Sequence, residues 1–231
     1  MPDPIPARRD AVAALGSAVR AALVAIAATE APIENLRRAA ALADRLTAEL
    51  AGTERPLTQV PSVDDLAHGI RYLSPTIGLG NPMSPPVVMA RTATGVETHV
   101  TLDRRFEGPP GYVHGGVTAL LLDEVLGEAA THVGLWGLTG FLNISYLHAL
   151  PIDVELVATA RVSRTEGRKT FVTGGIALSS DPATPFVTSE ALFVTPRAES
   201  YDRYFDEVSD ANGPIADITF GAPDRAAHGA G

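Results

Sequence analysis

A rigid glycine- and proline-containing loop that runs straight into an apolar helix constrains this chain more than any other feature. The stretch reads Phe106-Glu-Gly-Pro-Pro-Gly-Tyr-Val-His-Gly-Gly-Val-Thr-Ala-Leu-Leu-Leu-Asp-Glu-Val-Leu-Gly127. Proline fixes φ and glycine admits turns closed to other residues, so the loop has few conformations to choose from. His114-Gly115-Gly116 opens the helix. The first N–H groups of a helix have no intrahelical acceptor and can hold a developing negative charge.

Helical rotation of about 100° per residue gathers Leu122, Val125, Leu126, Ala129 and Val133 on one face. The same phase turns Glu124 and Glu128 away from it, and Glu124 reads as a solvated carboxylate. Asp123 falls at the border, beside Ala119, Gly127 and Ala130, small residues that leave room for a ligand. It is the candidate acid, base or nucleophile. An ordinary boundary aspartate on an amphipathic helix fits the spacing equally well.

The rest of the chain narrows the options. With 231 residues and 45% hydrophobic content it can build one domain with extensions. The net charge of −9 argues against a nucleic-acid surface, and the absence of cysteine removes disulfides, zinc–thiolate sites and a thiol nucleophile. His68, His132, His148 and His228 show no metal-ligand spacing, so no metal and no cofactor are expected. Val19 to Ala28 is too short to cross a bilayer. Asp3 and Asp10 are unlike the basic start of a signal peptide. A cytoplasmic protein without a membrane span is the expectation.

Along the chain, residues 1–53 read as a helical extension with helices over 10–28 and 33–51. Leu36, Ala39, Ala40, Leu42, Ala43, Leu46 and Leu50 give the second helix an apolar face, suited to packing on the main domain, on a partner subunit or as a lid. Residues 54–86 form a Pro- and Gly-rich connector. The main domain spans 87–197, with strands predicted at Val87–Arg91, Val96–Leu102, 138–148, 152–163, 169–179 and 186–195, and the helix from Gly115 to Val133 between the second and third. Ile152, Val154, Leu156, Ala158, Ala160 and Val162 alternate with polar residues, the mark of a strand buried on one face. Residues 198–231 read as a loose polar tail, in which Tyr201, Tyr204, Phe205 and Ile215 to Phe220 are the groups able to dock.

The block from His114 to Asp123 resembles the hotdog-fold acyl-CoA thioesterases of the phenylacetate-pathway (PaaI) type, whose acidic residue stands nine places after the His of a His-Gly-Gly motif. The likeness runs from about Ser74 to Pro196, and Glu107-Gly-Pro-Pro-Gly111 is similar to the mammalian long-chain branch. It implies an α+β hotdog fold, an antiparallel β-sheet wrapped around a long central α-helix, here with an N-terminal helical extension. It also implies hydrolysis of an acyl-CoA, with medium or long chains favoured and CoA entering only as part of the substrate. Some branches carry an Asn six residues before the motif His. Here that position is Gly108, which leaves carbonyl polarisation mainly to the Gly115 N–H.

By this resemblance Asp123 and Gly115 are catalytic, Thr139 orients water, and His114 fixes the loop. Gly116, Asn143, Arg164, Arg168 and Lys169 are candidates for substrate binding, the three basic residues as a phosphate anchor at a turn. For Thr139 a plain strand role, and for the basic turn a solvated hairpin tip, are the competing readings. Gly115 and Asp123 lie about 12 Å apart along the helix, so one chain can hardly bring both to one carbonyl. Two helices across a twofold axis can, and a homodimer, or a dimer of dimers, follows as the expected partner. A non-catalytic acyl-CoA-binding module is the alternative function, and a hotdog dehydratase fits the His114–Asp123 pattern less well.

Overall fold

The computed structural model describes residues 3–52, 54–197, 205, 207–210 and 213–215. Helices α1 (Ile5–Ala28) and α2 (Ile33–Leu50) lead into a long connector containing a short 3-10 turn, Leu66–His68. Strands β1 (Ala90–Arg91) and β2 (Val96–Thr101) precede the central helix α3 (Gly115–His132). Strands β3 (Leu138–Tyr146), β4 (Glu155–Glu166), β5 (Lys169–Leu178) and β6 (Asp181–Val194) follow it. The six strands make one antiparallel sheet in the order β1-β2-β4-β5-β6-β3. This is the expected sheet around one long helix.

The core lies where α3 meets the concave sheet. Leu121, Leu122, Val125, Leu126, Ala129 and Ala130 bury against Leu156, Ala158 and Ala160 of β4, Val172 and Ile176 of β5, and Val187, Ala191 and Phe193 of β6. Each large aliphatic side chain so buried stabilises by about 1.5–3 kcal/mol. Helix and sheet come close enough at Gly174 that an added Cβ would stand 2.4 Å from the Thr159 carbonyl oxygen and 3.1 Å from a Leu126 methyl, so only glycine fits there.

Two residues depart from the phase predicted for this helix. Val133 is exposed at the helix end, and Ala130, expected beside Asp123, is buried in the core. The apolar face is broader than predicted, since Thr118, Leu121, Ala130 and Thr131 are buried along with Leu122, Val125, Leu126 and Ala129.

Strand boundaries also differ for identifiable reasons. Only Ala90 and Arg91 of the predicted first strand pair with β2. Pro85 and Pro86 lack N–H donors, and the Thr98 hydroxyl, at 2.8 Å, occupies the Val88 carbonyl. Strand β4 begins at Glu155 because Asp153 adopts φ 57°, and its N–H bonds the Leu102 carbonyl at 2.9 Å. It then runs on to Glu166 through a bulge between Val162 and Arg164.

The extension is an open pair of helices. Helix α1 starts five residues earlier than predicted, with Pro4 and Pro6 at positions where a missing N–H is tolerated. At 24 residues, with an apolar window of mean hydropathy 2.0, it is long and apolar enough to cross a bilayer, contrary to the shorter stretch read from the sequence. Its middle nevertheless packs on protein: Gly16 is buried against Leu79 and Gly80, and Arg20 donates to the Leu79 and Asn81 carbonyls at 2.9 and 3.0 Å. Helix α2 buries nothing, and Leu36, Leu42, Leu46 and Leu50 are exposed.

Of the predicted tail, Tyr201, Tyr204 and 216–220 lie outside the described residues. Phe205, by contrast, sits 6.1 Å from the Trp136 ring, and Ser209 exchanges backbone bonds with Thr58 and Val60, so this part of the tail is docked.

Candidate active site

The loop before α3 is held by its own backbone. His114 N–H donates to the Phe106 carbonyl at 2.8 Å, Gly108 N–H to Tyr112 at 2.9 Å and Val113 N–H to Leu150 at 2.8 Å. A Cβ at Gly108 would lie 2.8 Å from His114 Cα, so no asparagine can stand there in this backbone. His114 caps the helix: its Nδ1 accepts from the Gly116 N–H at 3.0 Å. That bond ties the loop residue His114 to the first turn of the helix and occupies the Gly116 N–H. The Gly115 N–H meets no acceptor among the described residues. Above it lies Tyr146, whose hydroxyl donates to the Gly115 carbonyl at 2.8 Å.

Asp123 stands two turns further along α3. Its Oδ1 accepts from the Thr139 hydroxyl at 2.9 Å, so the first residues of β3 are brought onto the helix at the carboxylate. A register shift between Thr139 and Phe141 accompanies this approach. Asp123 and Thr139 line a chamber of about 830 Å³ together with Ile70, Met89, Gly127 and Trp136. Gly115 and Tyr146 line a different cavity of about 320 Å³. Within one chain the two catalytic candidates therefore face separate spaces.

Glu124 is not solvated. Its carboxylate is ion-paired with Arg71 and accepts from the Thr76 hydroxyl, and its side chain is 15% exposed. The helix phase does turn Glu124 off the sheet, but the connector covers that side. Glu128, one turn on, lies 3.9 Å from Arg91. Burial raises its carboxyl above the usual range, Arg91 opposes the shift and the neighbouring charge of Glu124 adds to it.

The basic turn divides. Arg164 lies over the Phe171 ring at 3.5 Å and pairs with Glu166 at 3.0 Å and Glu190 at 3.6 Å, so its guanidinium is engaged by neighbours. Arg168 donates to the Thr195 carbonyl at 2.6 Å, and the Thr195 hydroxyl donates to Trp136 at 2.8 Å, which ties the turn to the segment entering β3. Lys169 is exposed beside it. Asn143 is exposed on β3 opposite Glu190 and lines neither cavity, because its neighbours Leu142 and Ile144 are the ones that pack on the core. Among the described residues no cluster of His, Asp and Glu is arranged to hold a metal ion.

Sequence reasoning missed Tyr146 and the Arg71–Glu124–Thr76 contact. The aromatic residue sits in a strand pattern that says nothing about a loop across the sheet, and the connector carries no periodic signal.

The profile of the Thioesterase superfamily matches residues 110–182, the span from the loop through β5. A crystal structure of a thioesterase superfamily protein superposes with a TM-score of 0.68 at 32% sequence identity, covering 79% of this chain and 90% of that one. The chain belongs to the thioesterase superfamily. Acyl-coenzyme A thioesterase THEM4 of Mus musculus is 36% identical to this superfamily member over 88 residues, 38% of this chain and 37% of that protein. Acyl-coenzyme A thioesterase THEM5 of Homo sapiens is 33% identical over 88 residues, 38% of this chain and 35% of that protein. The match thus spans little more than a third of these curated relatives.

Proposed function

We propose that this thioesterase superfamily member hydrolyses a medium- or long-chain acyl-CoA to the free acid and CoA, at a site shared by two chains. The hydrogen bond from Thr139 to Asp123 at the chamber rim carries this function. With Oδ1 occupied, Oδ2 accepts a proton from water as its oxygen attacks the thioester carbon, or else attacks that carbon itself. The oxyanion is received by the free N–H of Gly115 of the partner subunit. In the water route collapse breaks the C–S bond and the departing thiolate takes the proton held by Asp123. In the direct route collapse expels the thiolate and leaves an acyl–Asp123 anhydride, which water then hydrolyses, giving the free acid and the proton for the thiolate. The acyl-CoA thioesterases among the relatives support this reading, as do the combined His114-Gly115 helix start and Asp123.

Dimerisation supplies what one chain lacks. Strand β3 is the sheet's outermost strand, with Thr139 near its start and Tyr146 at its end. Antiparallel pairing of two copies of β3 about a twofold axis sets the Thr139–Asp123 end of one against the Tyr146–Gly115 end of the other. An exposed edge nine residues long also invites such pairing. Lys169, with Arg168 beside it, is the candidate anchor for CoA phosphates, and Arg164 is withdrawn from that role.

Incubation of the pure protein with acyl-CoA esters and a thiol reagent tests the function. Thiol release that disappears in Asp123→Asn is expected. Tight acyl-CoA binding without release would instead make the chain a binding module.

A further inference from the structure

The chamber beside Asp123 has a direction. Asp123, Gly127 and Thr131 recur every fourth residue along α3, so they lie in line on one side of it, and all three border the chamber. Phe193 borders it from the sheet, Met89 and Ile70 from the connector, and Trp136 from the segment entering β3. Trp136 is held there by the Thr195 hydroxyl and by the Phe205 ring. The charged lining residues Glu124 and Glu128 are paired with Arg71 and Arg91, so they do not leave a bare charge facing an apolar ligand.

Gly127 lines the chamber with no side chain of its own. A Cβ there would touch the Phe193 ring at 3.5–3.6 Å, ordinary contact distance, so alanine fits but anything longer must project into the chamber. From Asp123 to Thr131 the helix rises about 12 Å. At three bonds per 3.8 Å, an extended chain covers that distance in about nine or ten bonds.

We infer that the Asp123–Gly127–Thr131 groove seats the acyl chain of a saturated aliphatic thioester of about ten carbons, and that Gly127 determines the accepted length. The assignment depends on the acyl-CoA hydrolysis proposed above for the same site. The thioester carbon rests at Asp123, the chain passes over Gly127 and beneath Met89, and its end reaches Trp136. Each methylene seated strengthens binding about fourfold, so displacing two of them costs more than tenfold in affinity.

The test is an acyl-CoA series from butanoyl to hexadecanoyl with Gly127→Leu, Gly127→Ala and Met89→Ala. Gly127→Leu is expected to lower kcat/KM for dodecanoyl-CoA at least tenfold while changing butanoyl-CoA less than threefold. Gly127→Ala, only one methyl larger, should fall between the wild type and Gly127→Leu, with a loss of less than about fourfold on dodecanoyl-CoA, and Met89→Ala, which widens the opposite wall, should move the optimum to longer chains. Equal loss on both esters by a folded Gly127→Leu, or an unmoved optimum in Met89→Ala, overturns the groove. A second readout needs no turnover: dodecanoic acid should displace a fluorescent fatty acid from the wild type and from Asp123→Asn, and at least tenfold more weakly from Gly127→Leu. If the wild type binds dodecanoate in this way but releases no thiol, hydrolysis falls and the groove stands. If it hydrolyses the esters with a length profile that neither Gly127→Leu nor Met89→Ala moves, hydrolysis stands and the groove falls.

Discussion

The Thr139 hydroxyl donates to Asp123 Oδ1 across 2.9 Å, joining the first residues of the outermost strand to the middle of the central helix. Asparagine at 123 can still accept that bond but can neither take a proton nor attack. Asp123→Asn is therefore expected to lower kcat by at least about a hundredfold with acyl-CoA binding retained. Thr139→Val, which removes a hydrogen bond to a charged group, should lower kcat about tenfold or more. Steady-state kinetics beside a binding titration separates the two effects, and a Thr139→Val enzyme with unchanged kcat would reduce that residue to a strand former.

Glu124 should matter for stability. Glu124→Gln leaves the Arg71 guanidinium facing a neutral amide in a partly covered site, and loosens the connector from α3. A loss of about 2–3 kcal/mol is expected, somewhat below that for breaking a fully buried pair. Denaturant unfolding checks it. A midpoint equal to wild type would mean that the pair is as inconsequential as an exposed one.

Glu128 provides a pH signature. Burial raises its pKa in the folded chain above the ordinary value of 4.5, so the folded state holds its proton more tightly than the unfolded state. Stability on this account is fully present at low pH and falls as pH rises from about 4.5 through the raised value. Glu128→Gln removes that loss. Its melting temperature should exceed wild type by about 2 °C at pH 7, with the difference vanishing near pH 4. A lower Tm at pH 7 would show that the Arg91 contact outweighs burial.

The shared site predicts complementation. Gly115→Pro removes the candidate donor at a helix position that tolerates proline, and His114 before it already has the extended ψ of 130° that proline requires. Mixing it with Asp123→Asn gives heterodimers in which one site carries both defects and the other neither. Statistical subunit exchange should restore up to about a quarter of wild-type activity. No recovery after exchange demonstrated by mass spectrometry would mean that each chain builds its own site.

Much of this was legible in the residues themselves. The loop and helix from Phe106 to Gly127 show their character locally, because glycine, proline and helical periodicity act within a few residues. The alternation of Leu156, Ala158 and Ala160 likewise identifies the core-facing side of a strand, although Val157 on the other side is buried too. Boundaries were less legible where a single distant bond decides them, as with the Val88 carbonyl taken by Thr98. Arg164 read as a free cation because its Phe171 and Glu190 neighbours come from other strands.

The amino-acid sequence by itself determined the helix start at His114, the position of Asp123 along that helix, and the alternation that makes a half-buried sheet, since each depends on torsions and periodicities of neighbouring residues. Tertiary structure alone decided that Thr139 meets Asp123, that Tyr146 covers Gly115, and that the connector turns Glu124 from a solvated carboxylate into an ion pair with Arg71. Those contacts join residues 16 to 53 positions apart, and their free energy appears only once hydrophobic burial has brought the helix, the outermost strand and the connector together.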